Sequence, residues 1–238
     1  VAVQILAPQG FEAKSVMKLR LPVDHLVCVV NDLSRAVTSF VDADFTATPI
    51  SRHSDAMGTA NSCIMLDGAY IELMGIVADT PANEGWRALL AQGHGLKGIA
   101  LASDDIAATE KALELQGIAG EVRHFSRAVP EGELRFSVIR LPREMTPGLQ
   151  CLYCQHHTPA LLWTPDAMRH ANGASRILSA SAPGVEALSP LAGSAAGLPM
   201  ADTPQAAIVI GTAEPVSAER RDAILAATGI AIETRPGK

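Results

Sequence analysis

The 238-residue chain is 48% hydrophobic and 18% charged, with a formal net charge of −6. It carries no basic stripe of the kind that binds nucleic acid, and no apolar run reaches the roughly 18 residues that a membrane span requires. What remains is a mildly acidic globular protein with enough chain for a substantial core, and four cysteines (Cys28, Cys63, Cys151, Cys154) set in apolar segments fit a reducing, cytoplasmic home.

Residues 1–20 show no signal-peptide pattern and are expected to be poorly ordered, with Met17 near the natural start. Val23 to Val30 reads as a buried strand, and Asn31-Asp32 offers a cap for a helix carrying Leu33, Val37, Phe40 and Val41 at helical spacing. Strands follow at Phe45 to Ile50, Thr59 to Leu66 and Ala69 to Ile76. A polar loop over Ser51 to Gly58 separates the first two, and a tight turn at Asp67-Gly68 joins the last two. The unit is βαβββ. Asp79 to Gly95 reads as a linker with a short helical patch at Trp86 to Leu90, and then the order repeats. A strand spans Leu96 to Ala102 and a helix runs from Ile106 to about Gln116, capped by Asp104-Asp105. Strands follow around Glu121 to Phe125, Leu134 to Leu141 and Leu149 to Gln155. With Asp32 laid over Asp105, His25 falls opposite Gly98; at the other end of the units, Tyr70-Ile-Glu72 falls opposite Tyr153-Cys-Gln155. Beyond Thr158, a connector with Trp163 and His170 leads to strands at Arg176 to Ala182, Ala206 to Gly211 and Ile230 to Thr234. Between them lie an Ala/Ser/Gly/Pro-rich stretch and a helix over Ser217 to Gly229 with Ile224 and Leu225 inward.

Two side chains draw attention. Glu72 sits inside the apolar run Ala69 to Ile76, where an ionised carboxylate costs several kcal/mol unless a cation, a metal or hydrogen bonds compensate it. His25 opens another apolar strand, so the two together make half of a divalent-metal site. Cys151 and Cys154 form a C-x-x-C, but in a strand and with no second pair, which fits neither zinc nor redox chemistry.

The order of short motifs resembles the glyoxalase-like domain proteins of the vicinal oxygen chelate superfamily, which also holds bleomycin-resistance proteins and extradiol dioxygenases. These are Asp24-His-Leu-Val, Gly58-Thr-Ala-Asn61, Tyr70-Ile-Glu-Leu, Phe125-Ser-Arg127, Gln155-His-His-Thr-Pro159 and His170-Ala-Asn-Gly173, over roughly residues 22 to 175. The resemblance implies an α+β fold in which two βαβββ modules, about 22–77 and 95–158, form a cup-shaped sheet. Residues 159–238 would add a connector and an incomplete α/β module. It implies a divalent ion (manganese, iron, nickel, zinc or magnesium) held by first- and fourth-strand residues of each module. His25 and Glu72 match in the first module. In the second, Gly98 has no side chain to offer, and Gln155 or His157 would complete the set, Tyr153, Gln155 and His157 sharing one strand face.

On that reading Arg52, Asn61, Arg127, Arg135 and Tyr153 contact the substrate, the guanidinium groups suiting an oxyanion. The activity implied is that of an isomerase or lyase on a small oxygenated metabolite chelated through adjacent oxygens, with Glu72 a metal ligand or the general base. The alternatives are a non-catalytic binder of an antibiotic or other small molecule, favoured by the missing ligands of the second module, and an extradiol dioxygenase. The partner is a small molecule, not nucleic acid or membrane, and the protein would act as a monomer or homodimer.

Overall fold

The computed structural model describes residues 18–193 and 197–237. The expectations for Met17 and the residues before it lie outside that range. Lys18 to Arg20, expected to be poorly ordered, belong to strand β1 (Lys18–Leu21), and Pro22 separates it from β2 (Val23–Val30).

The first module continues with α1 (Leu33–Val41), β3 (Ser51–Arg52), β4 (Thr59–Leu66) and β5 (Ala69–Ile76). Helix α1 starts where Asp32 accepts a hydrogen bond from the Arg35 amide at 2.9 Å, and it buries Ala36 and Phe40 against the sheet. The β4–β5 hairpin closes over two residues, with Leu66 opposite Ala69 and Gly68 at φ +75°, a conformation glycine adopts freely. Phe45 to Ile50, read as a strand, forms none. Its Thr48 is tied to Cys63 by two bonds and to Ser62 by one, and Pro49 has no N–H to continue a ladder, so pairing is confined to Ser51 and Arg52.

The linker forms α2 (Glu84–Leu90). The second module is β6 (Gly95–Ala102), α3 (Ile106–Leu115), β7 (Val122–Val129), β8 (Gly132–Arg140) and β9 (Gln150–His156). Asp105 caps α3 through the amides of Ala107 and Ala108, as Asp32 caps α1. The eight strands run in the order β3-β4-β5-β2-β6-β9-β8-β7. Strand β2 is parallel to β5 and β6 is parallel to β9, while β2 and β6 pair antiparallel where the modules meet. This is the expected pair of βαβββ modules, and the sheet curls around a cavity of about 390 Å³.

The remaining elements are β10 (Arg176–Ala182), β11 (Leu198–Asp202), β12 (Ala207–Thr212), α4 (Ala218–Thr228) and β13 (Ala231–Pro236). They build a second sheet, β1-β11-β10-β12-β13, in which β1 from the front of the chain forms an edge. Its buried Ile177, Ile208, Ile210 and Ile232 join Leu26, Cys28, Phe40 and Ile71 of the first sheet in one shared core. In α4, Ile224 is fully buried, but Leu225, expected inward, is exposed because it lies about 100° further round the helix.

Candidate metal and substrate site

From His25 onward, strand alternation divides β2 into two faces. Leu26, Cys28 and Val30 enter the shared core, while on the opposite face His25 lines the cup and Val27 and Val29 pack under Trp86 and Leu89. On β5, Tyr70, Glu72 and Met74 also line the cup, so the imidazole and the carboxylate converge, with His25 Nε2 3.6 Å from Glu72 Oε2. The Tyr70 ring stacks on His25 with centroids 4.5 Å apart, and Asn61 on β4 donates to Glu72 Oε1 at 2.7 Å.

Asp24 has no place in an alternating reading, which would turn it away from His25. The β2–β6 register slips here: Val23 pairs with Leu101 and His25 with Ala100, so Asp24 is the extra residue of a β-bulge. Its carboxylate therefore joins His25 on the cup side, accepting from His25 Nδ1 at 2.5 Å, and its Oδ1 lies 3.0 Å from His156 Nε2. Such bulges leave no mark in the residue pattern beyond two adjacent polar side chains at the mouth of an apolar strand.

The expected second-module ligands lie elsewhere. His25 pairs with Tyr70 and its counterpart Gly98 with Gln150, so Tyr70 corresponds to Gln150, three residues before Tyr153. A slip of three is odd and turns every side chain of β9 over. Tyr153 packs on the outer core. Gln155 is bonded to the Ile106 amide and the Asp104 carbonyl at the start of α3, and His157 meets Ser137 on the outer face. Arg135 lies on that outer face as well, opposite Ser126 and beside His157. Leu152, Cys154 and His156 look inward instead, and the edge of Trp163 from the connector braces His156, centroids 5.1 Å apart. Cys151 and Cys154 thus face opposite sides of the sheet and form no pair.

Gly98 faces the cup, but its place is taken. A Cβ there would lie 2.8 Å from Trp86 Cη2 and 3.0 Å from Val27 Cβ, so the indole of the linker helix fills the space a ligand would need. Of the residues expected to touch substrate, Arg52, Asn61 and Arg127 line the cavity, joined by His53, Phe125 and Phe136.

The family model of the glyoxalase-like domain matches residues 23–190. The chain belongs to the glyoxalase-like domain family. Its fold is that of a hypothetical protein from Staphylococcus aureus, 15% identical, with a TM-score of 0.65 over 90% of this chain and 99% of the other. Two partial likenesses are a methylmalonyl-CoA epimerase from Mycobacterium tuberculosis (18% identity, 60% and 93% coverage, TM-score 0.43) and a hypothetical protein from Bacillus halodurans (15%, 56% and 92%, 0.44). No curated protein sequence matches.

Within this glyoxalase-like domain the cup groups are closely coupled. Burial works against the Asp24 carboxylate, yet hydrogen bonds from His156 and His25, and their charges, hold it well below the usual carboxylate range. Burial likewise lowers His25, but the Asp24 hydrogen bond and the charges of Asp24 and Glu72 outweigh it and raise the imidazole above its ordinary 6.5. Burial, then the charges of Asp24 and Glu72, push the Cys154 thiol up. His53 is lowered by burial, which outweighs the attraction of Glu72, and Arg127 adds to the effect.

The ligand atoms of Asp24, His25, Cys154 and His156 all lie within 4.8 Å of one another, a mixed carboxylate, imidazole and thiol set suited to a divalent transition ion. Protein ligands of such an ion, each at about 2.0–2.3 Å, stand roughly 3–4 Å apart, which the His25–Glu72 separation of 3.6 Å satisfies. The 2.5 Å Asp24–His25 contact has the length of a hydrogen bond, and Asp24 orients the ring so that Nε2 is the free nitrogen.

Proposed function

We propose that this glyoxalase-like domain is a divalent-metal-dependent enzyme of the isomerase or lyase type, acting on a small oxygenated metabolite. The observation that carries the reading is the convergence of His25 Nε2 and Glu72 Oε2, 3.6 Å apart and largely shielded from solvent, beside a second imidazole and a second carboxylate. His25 and His156 would hold the ion, with Asp24 fixing the His25 ring and Glu72 standing beside the set. Bound there, a divalent ion would act as a Lewis acid on a substrate oxygen.

The chain's own groups then divide the work. Glu72 is not among the four groups whose ligand atoms cluster within 4.8 Å, which favours it as the base that removes a proton from carbon next to a carbonyl and returns it. Asn61 holds Oε1 of Glu72, leaving Oε2 toward the reacting carbon. Tyr70 and Trp86 give the site a buried, largely apolar wall beside that carboxylate. Imidazole, carboxylate and thiol together suit zinc, iron or nickel.

Elemental analysis of the purified protein tests this. Near-stoichiometric metal in the wild type, lost in His25→Ala and His156→Ala, is the expected result, and a wild type without metal after reconstitution overturns it. A second reading, a binding cup that sequesters a small molecule without turnover, draws on Gly98, whose place is filled by Trp86. It would be supported by ligand binding that survives complete metal removal.

A further inference from the structure

We propose that the ligand of the cup is a monocarboxylate with an aromatic or branched apolar body, anchored through the guanidinium of Arg127. The proposal rests on the cup being a ligand site and not on its metal dependence.

Arg127 stands on β7 opposite Leu134 and reaches across the mouth of the cup, where Nη1 donates to Asn61 Oδ1 at 3.3 Å. Its Nε is buried and has no hydrogen-bond partner, and among the described residues Arg127 makes no ion pair. A half-buried guanidinium whose Nε is sealed from solvent and whose one bonded partner is an amide oxygen is an incomplete arrangement, because its fixed fork of donors matches a carboxylate presented side-on. The other cations lining the cup are Arg52 and Arg140, and Glu72 is its one acid besides the Asp24 carboxylate behind it. Asn61 stands between Arg127 and Glu72, receiving from one and donating to the other, so it separates a ligand carboxylate from the Glu72 charge.

Next to Arg127 the wall is apolar. Phe125 and Phe136 lie parallel, with centroids 5.5 Å apart, and Leu134 and Leu162 flank them. A body that buries against these rings while its carboxylate meets Nε satisfies both halves of the surface, and a cavity of about 390 Å³ falls within the ordinary range for small-molecule sites. The chain of contacts from Arg127 through Asn61 and Glu72 to His25 spans 3.3, 2.7 and 3.6 Å, which sets the carbon beside the anchored carboxylate near the proposed base.

The test compares 3-phenylpropanoate with 3-phenylpropanamide, which share a body and differ in charge, by isothermal titration calorimetry at pH 7.5. The acid should bind wild type at least about tenfold more tightly than the amide, as a charge-assisted hydrogen bond predicts. Arg127→Gln should abolish that preference, and Arg127→Lys should retain part of it. Equal affinities in wild type, no saturable binding of the acid, or a preference that persists in Arg127→Gln overturns the proposal. The wild-type comparison stands even if a variant fails to fold. Metal content measured on the same samples separates this outcome from that of the metal reading, since carboxylate preference without metal, or metal without preference, sinks one and not the other.

Discussion

Gly98→Ala measures how firmly Trp86 occupies the place of the second module's first-strand ligand. The new methyl would stand 2.8 and 3.1 Å from two indole carbons and 3.0 Å from Val27 Cβ, all in a buried wall. Overpacking of this kind costs about 1–3 kcal/mol. Replacing a strand glycine returns roughly 0.5–1 kcal/mol of backbone entropy, so the net loss should be about 1–2 kcal/mol. Trp86→Ala alone should cost about 3–5 kcal/mol as a large-to-small core change. In the Trp86→Ala background two of the three close contacts vanish, and adding Gly98→Ala should be near neutral. The coupling between the sites is then about 1–2 kcal/mol, read from urea unfolding followed by circular dichroism with m held constant. If Gly98→Ala costs as much without the indole as with it, or less than about 0.5 kcal/mol in wild type, the indole is not what keeps a side chain out of that position.

The two faces of β9 can be told apart by metal content: His156→Ala should lose bound metal, while His157→Ala and Gln155→Ala should keep it. Gln155→Ala should instead lower stability by about 1 kcal/mol, the worth of a bond to the first turn of α3, measured by thermal or urea unfolding. Asp24→Asn should weaken metal binding about 10–100-fold in competition with a fluorescent chelator, because the carboxylate fixes the orientation of the His25 imidazole; unchanged affinity would contradict that role. His170 gives a pH test away from the cup. Its Nδ1 accepts from Thr46 and its Nε2 donates to Met65, and burial, only partly offset by the Met65 bond, lowers its proton affinity below the ordinary 6.5. The unfolded chain then binds a proton that the folded one resists, so stability should fall as pH drops below 6.5, and His170→Gln should flatten that slope.

Much of this architecture could be read directly from residue order. The Asp32 and Asp105 caps, the Asp67-Gly68 hairpin and the apolar runs mark two successive βαβββ units, and all three are local signals. Glu72 was conspicuous because an acid inside an apolar strand demands a partner, and His25 was the partner at hand. The short reach of those signals also explains the errors. Phe45 to Ile50 has strand-like composition, but Pro49 and the bonds of Thr48 hold it beside the sheet instead of in it. Laying Tyr70-Ile-Glu72 over Tyr153-Cys-Gln155 is three residues out of the observed register, and that odd slip puts Gln155 and His157 in the cup and leaves His156 out.

The chain by itself determined which segments become strands and helices, where they end and that they come in two similar sets, because periodicity, caps and turn residues act within a few positions. Only the tertiary structure decided which face of β9 looks inward, that a bulge turns Asp24 beside His25, and that Trp86 from the linker displaces a ligand opposite Gly98. The first two depend on pairing between strands roughly fifty to eighty residues apart, and strand pairing, unlike a helix cap, is fixed by neighbours that local sequence does not contain.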